Sequence, residues 1–419
     1  MKRNSGVRFL AAAVLAGAAG LWAQTEAKTP AFGISFSGFL KTDLIYDSRQ
    51  TVAIREGHYL LYPKGEAPGP DGRDVNAASS FHMLSVQTRL LGRITGPDAF
   101  GAKTSGLIEA EFFGTSDGDL NGFRLRHGFL KLAWPKAELL IGQYWHPMFI
   151  TDSFPDVVSF NTGAPFQPFN RSPQIRYTRK LGERWSVSAA ALAQRDFAST
   201  GPEGASTAYA RNAAVPEVNL TLQYRRTCEA GCESVFGIGG DYKRIVPRLA
   251  TTLGYRTDAG LNDWAGMAFG KLKKPGFTVK AEAVYGQNLH HLTMMGGYAA
   301  AEITDAVRAE ASYAPTENLA LWGEIQTNGA AFQAGLFAGY TKNFGFGRNV
   351  SGPLYERGAD IDAVFRISPR AVYNAGKVRL AVEAEYTAAA YGKTGPDGRV
   401  NGAAWVGNLR LLGAVYYFF

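Results

Sequence analysis

The sequence predicts an all-β fold: a transmembrane antiparallel β-barrel of about sixteen strands, with an inward-folded loop over 146–173. Three observations predict it. The chain opens on an export leader, its apolar residues recur with a period of two, and no later segment is apolar for the roughly 18 residues a membrane helix needs.

The leader is "MKRNSGVRFLAAAVLAGAAGLWAQ", where Lys2, Arg3 and Arg8 precede an apolar stretch from Phe9 to Ala23. A charged start, an apolar middle and a small residue before Gln24 form a secretory signal, short for an anchor of about 20 apolar residues. We therefore expect a signal peptide over 1–23, a short N-terminal segment over 24–33 and the barrel over 34–419. The formal charge of +8 loses three with the leader, and the remainder is too mild for a nucleic-acid partner. Glycine (49), Phe (26), Tyr (19) and Trp (7) suit twisted strands, tight turns and aromatic girdles, whereas 2 Cys are too few for a disulfide-stapled secreted domain.

Alternation supplies the faces. In "LRLLGAVYYFF" the residues Leu409, Leu411, Gly413, Val415, Tyr417 and Phe419 share one side, while Asn408 and Arg410 begin the other. In "VNLTLQYRR", Val218, Leu220, Leu222 and Tyr224 oppose Asn219, Thr221, Gln223 and Arg225. Charge at mid-strand on one face and oil on the other means lipid outside and a wet lumen inside. A dry two-sheet sandwich would not place carboxylates and guanidinium groups there so often.

In order, strands are expected near 34–46, 81–95, 103–115, 123–135, 137–145, 174–181, 185–198 and 217–226. Eight more follow near 234–245, 263–272, 277–286, 300–314, 318–328, 361–373, 377–390 and 404–419. Long gaps (47–80, 146–173, 199–216, 246–262, 329–360) alternate with tight turns such as "PK", "GE", "CEAGC" and "KKPG". Two apolar pieces, "LATTLGY" and "GLFAGY", would raise the count to eighteen but break this alternation. Because an open edge in lipid leaves backbone groups unpaired, the last strand must close on the first.

Pro147, Pro155, Pro165, Pro168 and Pro173 stiffen the loop at 146–173, and a long stiff loop in a compact fold suits a constriction. On the predicted inner face lie Arg89, Arg124, Arg126, Arg176, Arg366, Arg370 and Arg410, with Arg171 at the loop's end. Lys41, Asp43, Glu109 and Glu111 share that lumen, and Glu383 and Glu385 with them. Arginine stays charged and matches carboxylates with paired donors, so a row of arginines favours small anionic solutes. The expected activity is passive diffusion of small hydrophilic solutes with a weak preference for anions such as small carboxylates, with no cofactor. An outer-membrane hydrolase of lipase or protease type using His82 or His127, and a non-conducting structural or adhesin barrel, are the alternatives.

Weaker signals complete the chain. "DGDLNG" sets Asp117, Asp119 and Asn121 as in the start of a Ca²⁺ loop, but Gly128 stands where the bidentate Glu belongs. Cys228 and Cys232 in "CEAGC" fit a disulfide across a periplasmic turn. "GPDGR" at 69–73 and 395–399 reads as a surface turn.

The passages "FSGFLKTDLIYDSRQ", "FRLRHGFLKL", "LLIGQYWHPMF", "SPQIRYTRKLG" and the terminal "NLRLLGAVYYFF" resemble the DcaP-like porin family. That resemblance implies a sixteen-stranded barrel in the bacterial outer membrane, passing small anions and assembled as a homotrimer. Resemblance to such barrels also implies that Phe419 is read by the barrel-assembly machinery. Members often carry a helical, coiled-coil-like segment before the barrel; about ten residues here leave no room for one, so association would rest on the barrel wall.

Overall fold

The computed structural model describes residues 32–114, 119, 121–229 and 231–419; the expected leader over 1–23 and Asp117 lie outside them. The chain forms one closed antiparallel barrel. Its strands are β1 (Gly33–Asp47), β2 (Ser80–Leu84 and Arg89–Thr95), β3 (Lys103–Glu111), β4 (Arg124–Ala133) and β5 (Ala137–Trp145). Then come β6 (Arg171–Leu181), β7 (Trp185–Leu192), β8 (Glu217–Thr227), β9 (Glu233–Ile245), β10 (Leu261–Lys273) and β11 (Phe277–Gln287). The last five are β12 (Glu317–Thr327), β13 (Phe332–Gly345), β14 (Ile361–Ala375), β15 (Val378–Thr394) and β16 (Val400–Phe418).

Closure is by backbone pairing of β1 with β16, from Phe39 opposite Phe418 to Asp47 opposite Arg410. Gly38 and Phe419 exchange N–H···O bonds of 3.2 Å in both directions, so pairing runs to the final residue. Outward positions are apolar and exposed, as in Leu40, Leu44 and Tyr46 of β1 and Leu409, Leu411 and Val415 of β16. A continuous apolar surface of this kind is a lipid face. Tyr242, Trp264, Tyr340 and Trp405 ring it toward the long loops, and Trp185, Phe277, Tyr373 and Tyr417 toward the short turns.

Two expectations are corrected. The strand expected at 300–314 is not in the wall: Gly296–Asp305 and Glu310–Pro315 form a hairpin in the β11–β12 loop, joined by Leu354–Arg357. The wall strand is instead β13, which contains "GLFAGY". Its inward positions include Gly335 and Gly339, where a Cβ would lie 2.5 Å from the Arg370 guanidinium and from the Phe166 ring. Missing side chains blur the alternation that marks a strand, and here they make room for what packs inside. "LATTLGY" is a loop turn, with Thr251 N donating to Tyr255 O at 2.8 Å. With β13 included, long loops and short turns alternate around sixteen strands as far as β15, and the final β15–β16 connection, 395–399, is a short turn between two long strands.

β2 is also broken, by a turn in which Thr88 N donates to Ser85 O at 3.2 Å. The break shifts the parity, so Leu84 and Val86 pack into an interior cluster. Arg89 still faces in.

Candidate functional site

All twelve charged residues expected along the lumen turn to the inner side of the wall. They do not stand as a free arginine row. Glu111 receives Arg89 at 3.1 Å, Arg124 at 3.0 Å and Arg126 at 2.5 Å. Arg126 also donates to Glu109 at 3.0 Å. A register shift between β3 and β4 sets Glu109 opposite His127 and Ala110 opposite Leu125. This bulge sends both Arg126 and His127 inward, the local effect expected of an extra residue in one strand. Asp196, in the β7–β8 loop, takes Arg171, Arg124 and Arg55. Burial alone would raise its carboxyl, but the Arg171, Arg124 and Arg55 guanidinium groups hold it at about 2. Five guanidinium groups thus meet three carboxylates, an excess of two positive charges.

The other predicted residues are struts. Arg410 grips Asp47 with two donors at 3.0 and 2.7 Å and donates to Gly57 O at 2.7 Å. Arg370 donates to Glu324 at 3.0 Å, and Arg176 to Gln174 at 2.8 Å. Lys41 pairs with Asp43 at 3.0 Å and donates to Val158 O at 3.1 Å. Arg366 donates to Ala164 O at 2.8 Å, Leu60 O at 3.2 Å and Leu61 O at 3.1 Å.

Those last bonds show two loops inside the barrel. The β5–β6 loop, 146–170, crosses the lumen: Asp156 N donates to Glu324, Val158 N to Glu383, and the Asn161 amide to Glu385 at 2.8 Å. Phe166 lies against Phe337 on the far wall. The second is unexpected. The β1–β2 loop carries a small hairpin, Thr51–Ile54 with Tyr59–Pro63, whose Tyr59, Leu60 and Leu61 are buried. Tyr59, Phe113, Phe160 and Phe169 pack together there, with Arg55 over the Phe113 ring at 4.7 Å. No signal in 48–79 beyond "YLLY" marks this entry. Below the constriction opens a cavity of about 600 Å³. Arg89, Arg126, Arg171, Arg370 and Arg379 line it against Glu109 and Asp156, with Trp145, Phe149 and Tyr416 between.

A buried set of metal-type donors was not foreseen: His146, Glu217, Asp241 and His291 bring ligand atoms within 4.8 Å of one another. Its hydrogen bonds fit a protein-only clamp. Met148 N–H donates to His146 Nδ1 at 3.1 Å, and the Lys243 ammonium to His291 Nδ1 at 3.2 Å. Each ring therefore carries its proton on Nε2 and donates to Glu217, at 2.7 and 2.9 Å. A metal-bound imidazole has the reverse pattern, donating from its other nitrogen. The clamp ties the β5–β6 and β11–β12 loops to β8. Burial first, then the Lys243 charge, pushes the His291 imidazole down to about 4.

His82 and His127, the histidines of the hydrolase alternative, both face inward. His127 lies 3.4 Å from Glu109, and Phe81 and Met83 occupy the outer face beside His82. Asp119 and Asn121 are exposed. Cys228 and Cys232 are thiols in the β8–β9 turn, without the expected bridge, and Cys232 N donates to Cys228 Sγ at 3.3 Å.

No protein-family model matches this chain, and no curated protein is similar to it in sequence. Solved structures are similar in fold. The outer membrane channel DcaP of Acinetobacter baumannii superposes with a TM-score of 0.68 at 16% identity, over 95% of this chain and 100% of that one. The anion-selective porin from Comamonas acidovorans gives 0.55 at 10% identity, over 93% and 100%. The trimer form of OmpT, an outer membrane protein of Vibrio cholerae, gives 0.53 at 13% identity, over 93% and 100%. The chain therefore has the closed sixteen-stranded fold of bacterial outer-membrane channels.

Proposed function

We propose that this chain is an outer-membrane porin for passive diffusion of small hydrophilic solutes, with a weak preference for anions such as small carboxylates. One observation carries the preference: the cavity below the constriction presents five arginines against two carboxylates. Excess positive charge between low-dielectric walls raises the local concentration of anions. The preference is weak because most guanidinium groups already face a carboxylate, and only the surplus acts on the solute. The channel and the anion-selective porin of the same fold support this reading.

We also infer a homotrimer joined through the barrel wall. Supporting it, a shallow exterior groove across β14–β16 is floored by the small residues Ala371, Ala384 and Gly413, which permit close approach of a second wall. Liposome swelling over small dicarboxylates, uncharged sugars of equal size and basic amino acids tests the porin reading. Dicarboxylates should enter fastest. Equal rates for all three classes would remove the preference, and no swelling would remove the channel.

A further inference from the structure

The exterior carries a second charged feature, on the short-turn end and away from the lumen. Arg179 shares the outer face of β6 with Ile175, Tyr177 and Leu181, all exposed. Its register partners are Ala137 on β5 and Val187 on β7, so no acid stands beside it across the sheet. Lys136 follows in the β4–β5 turn, where Lys180 N donates to its carbonyl at 2.9 Å. Glu138, next along β5, is taken by Lys131 at 2.6 Å. Among the described residues neither Lys136 nor Arg179 has an ion-pair partner.

These two cations share a concavity of about 490 Å³ with Trp134, Pro135, Ala137 and Tyr177. The Trp134 indole is fixed, its Nε1–H donating to Phe100 O at 3.0 Å. Arg179 lies two residues from the end of β6, roughly 7 Å of strand from the turn. That is headgroup depth, with apolar side chains on both sides of it along the same face. A guanidinium on the lipid side is costly unless it reaches a phosphate.

We propose that Lys136, Arg179, Trp134 and Tyr177 form a binding site for the headgroup phosphate of an anionic glycerophospholipid in the periplasmic leaflet. The cations take the phosphodiester, and the two aromatic rings hold the glycerol and upper acyl region, the usual place of Trp and Tyr at a membrane interface. The site is independent of what the lumen passes. A second copy of the barrel is the competing occupant, but the lining of the concavity offers it two cations and no carboxylate.

Native mass spectrometry of delipidated protein, titrated with phosphatidylglycerol or phosphatidylcholine of identical chains, tests it. Phosphatidylglycerol should be retained preferentially. Lys136→Gln with Arg179→Gln should weaken that retention by roughly 30-fold, and Arg179→Gln alone by roughly five-fold. Lys274→Gln, in the β10–β11 turn, should leave it unchanged. Conductance of each variant in bilayers reports that the barrel has formed. Equal retention of the two lipids, or unaltered retention by the folded double variant, would overturn the site. So would a lipid count that holds while the variant changes oligomeric state.

Discussion

Glu111 sits under three guanidinium groups with its side chain excluded from solvent. Buried charge of this kind is stable only as a set, because removing one member leaves the others desolvated and unpaired. Glu111→Gln should therefore lower unfolding stability by roughly 3 kcal/mol, read as an earlier midpoint in guanidinium titration. Arg366 works differently. It holds three backbone carbonyls from two loops, so Arg366→Ala should leave the wall intact and free the loops. The expected result is a larger or noisier single-channel current and protease cleavage within 48–79; a silent, uncleaved channel would count against a strut. Cys228 and Cys232, thiols in this structure, stand one turn apart on the face that an exported protein exposes to an oxidising compartment. We expect the exported protein to yield no reactive thiol under denaturing, non-reducing conditions, and two reactive thiols would disprove the bridge.

Among the elements, the two inward loops depend on hydrogen bonds that titrate. Burial lowers the His291 imidazole from its usual range to about 4, so the unfolded chain binds a proton between about 6.5 and 4 that the folded chain refuses. This contribution is complete above about 6.5 and is lost as pH falls toward 4. Acidification over that window should lower the thermal midpoint and raise hydrogen exchange in the β11–β12 loop. His291→Gln, which can still donate to Glu217, should flatten the slope. Asp196 behaves alike at lower pH: its support is present above about 3.9 and disappears toward 2. What sequence could show at this scale follows from side chains. Strands such as β8 and β16 alternate large apolar with polar residues and are read directly. β13 hides because Gly335 and Gly339 stand where inward residues would mark the period, and they are glycine because Arg370 and Phe166 occupy that space. Conversely, "YAAAEITD" has strand-like composition, but its alanines cover a loop sheet and not lipid. The prolines at 146–173 announced one inward loop; the β1–β2 hairpin is drawn in by Arg366, far along the chain, and no local pattern encodes that.

At the level of the molecule, an outward apolar surface and an inward charged one require a closed barrel, and β1 with β16 supplies the closure. Inward orientation of the arginines was legible from parity alone. Their pairing was not, because Asp196 and Glu217 sit in or beside loops that only the closed barrel brings to Arg171 and His291. Pairing bears on the proposed selectivity: a lumen of free arginines would be strongly anion-selective, whereas guanidinium groups that already face carboxylates leave only their surplus charge to act on a solute. Arg126→Ala should shift permeability toward cations, since it exposes Glu109 and Glu111 as well as removing a positive charge. The most direct test is the reversal potential of the wild-type channel in a planar bilayer under a KCl gradient. A modest potential of the sign that favours chloride is expected; a potassium-favouring potential, or no conductance at all, would contradict the account.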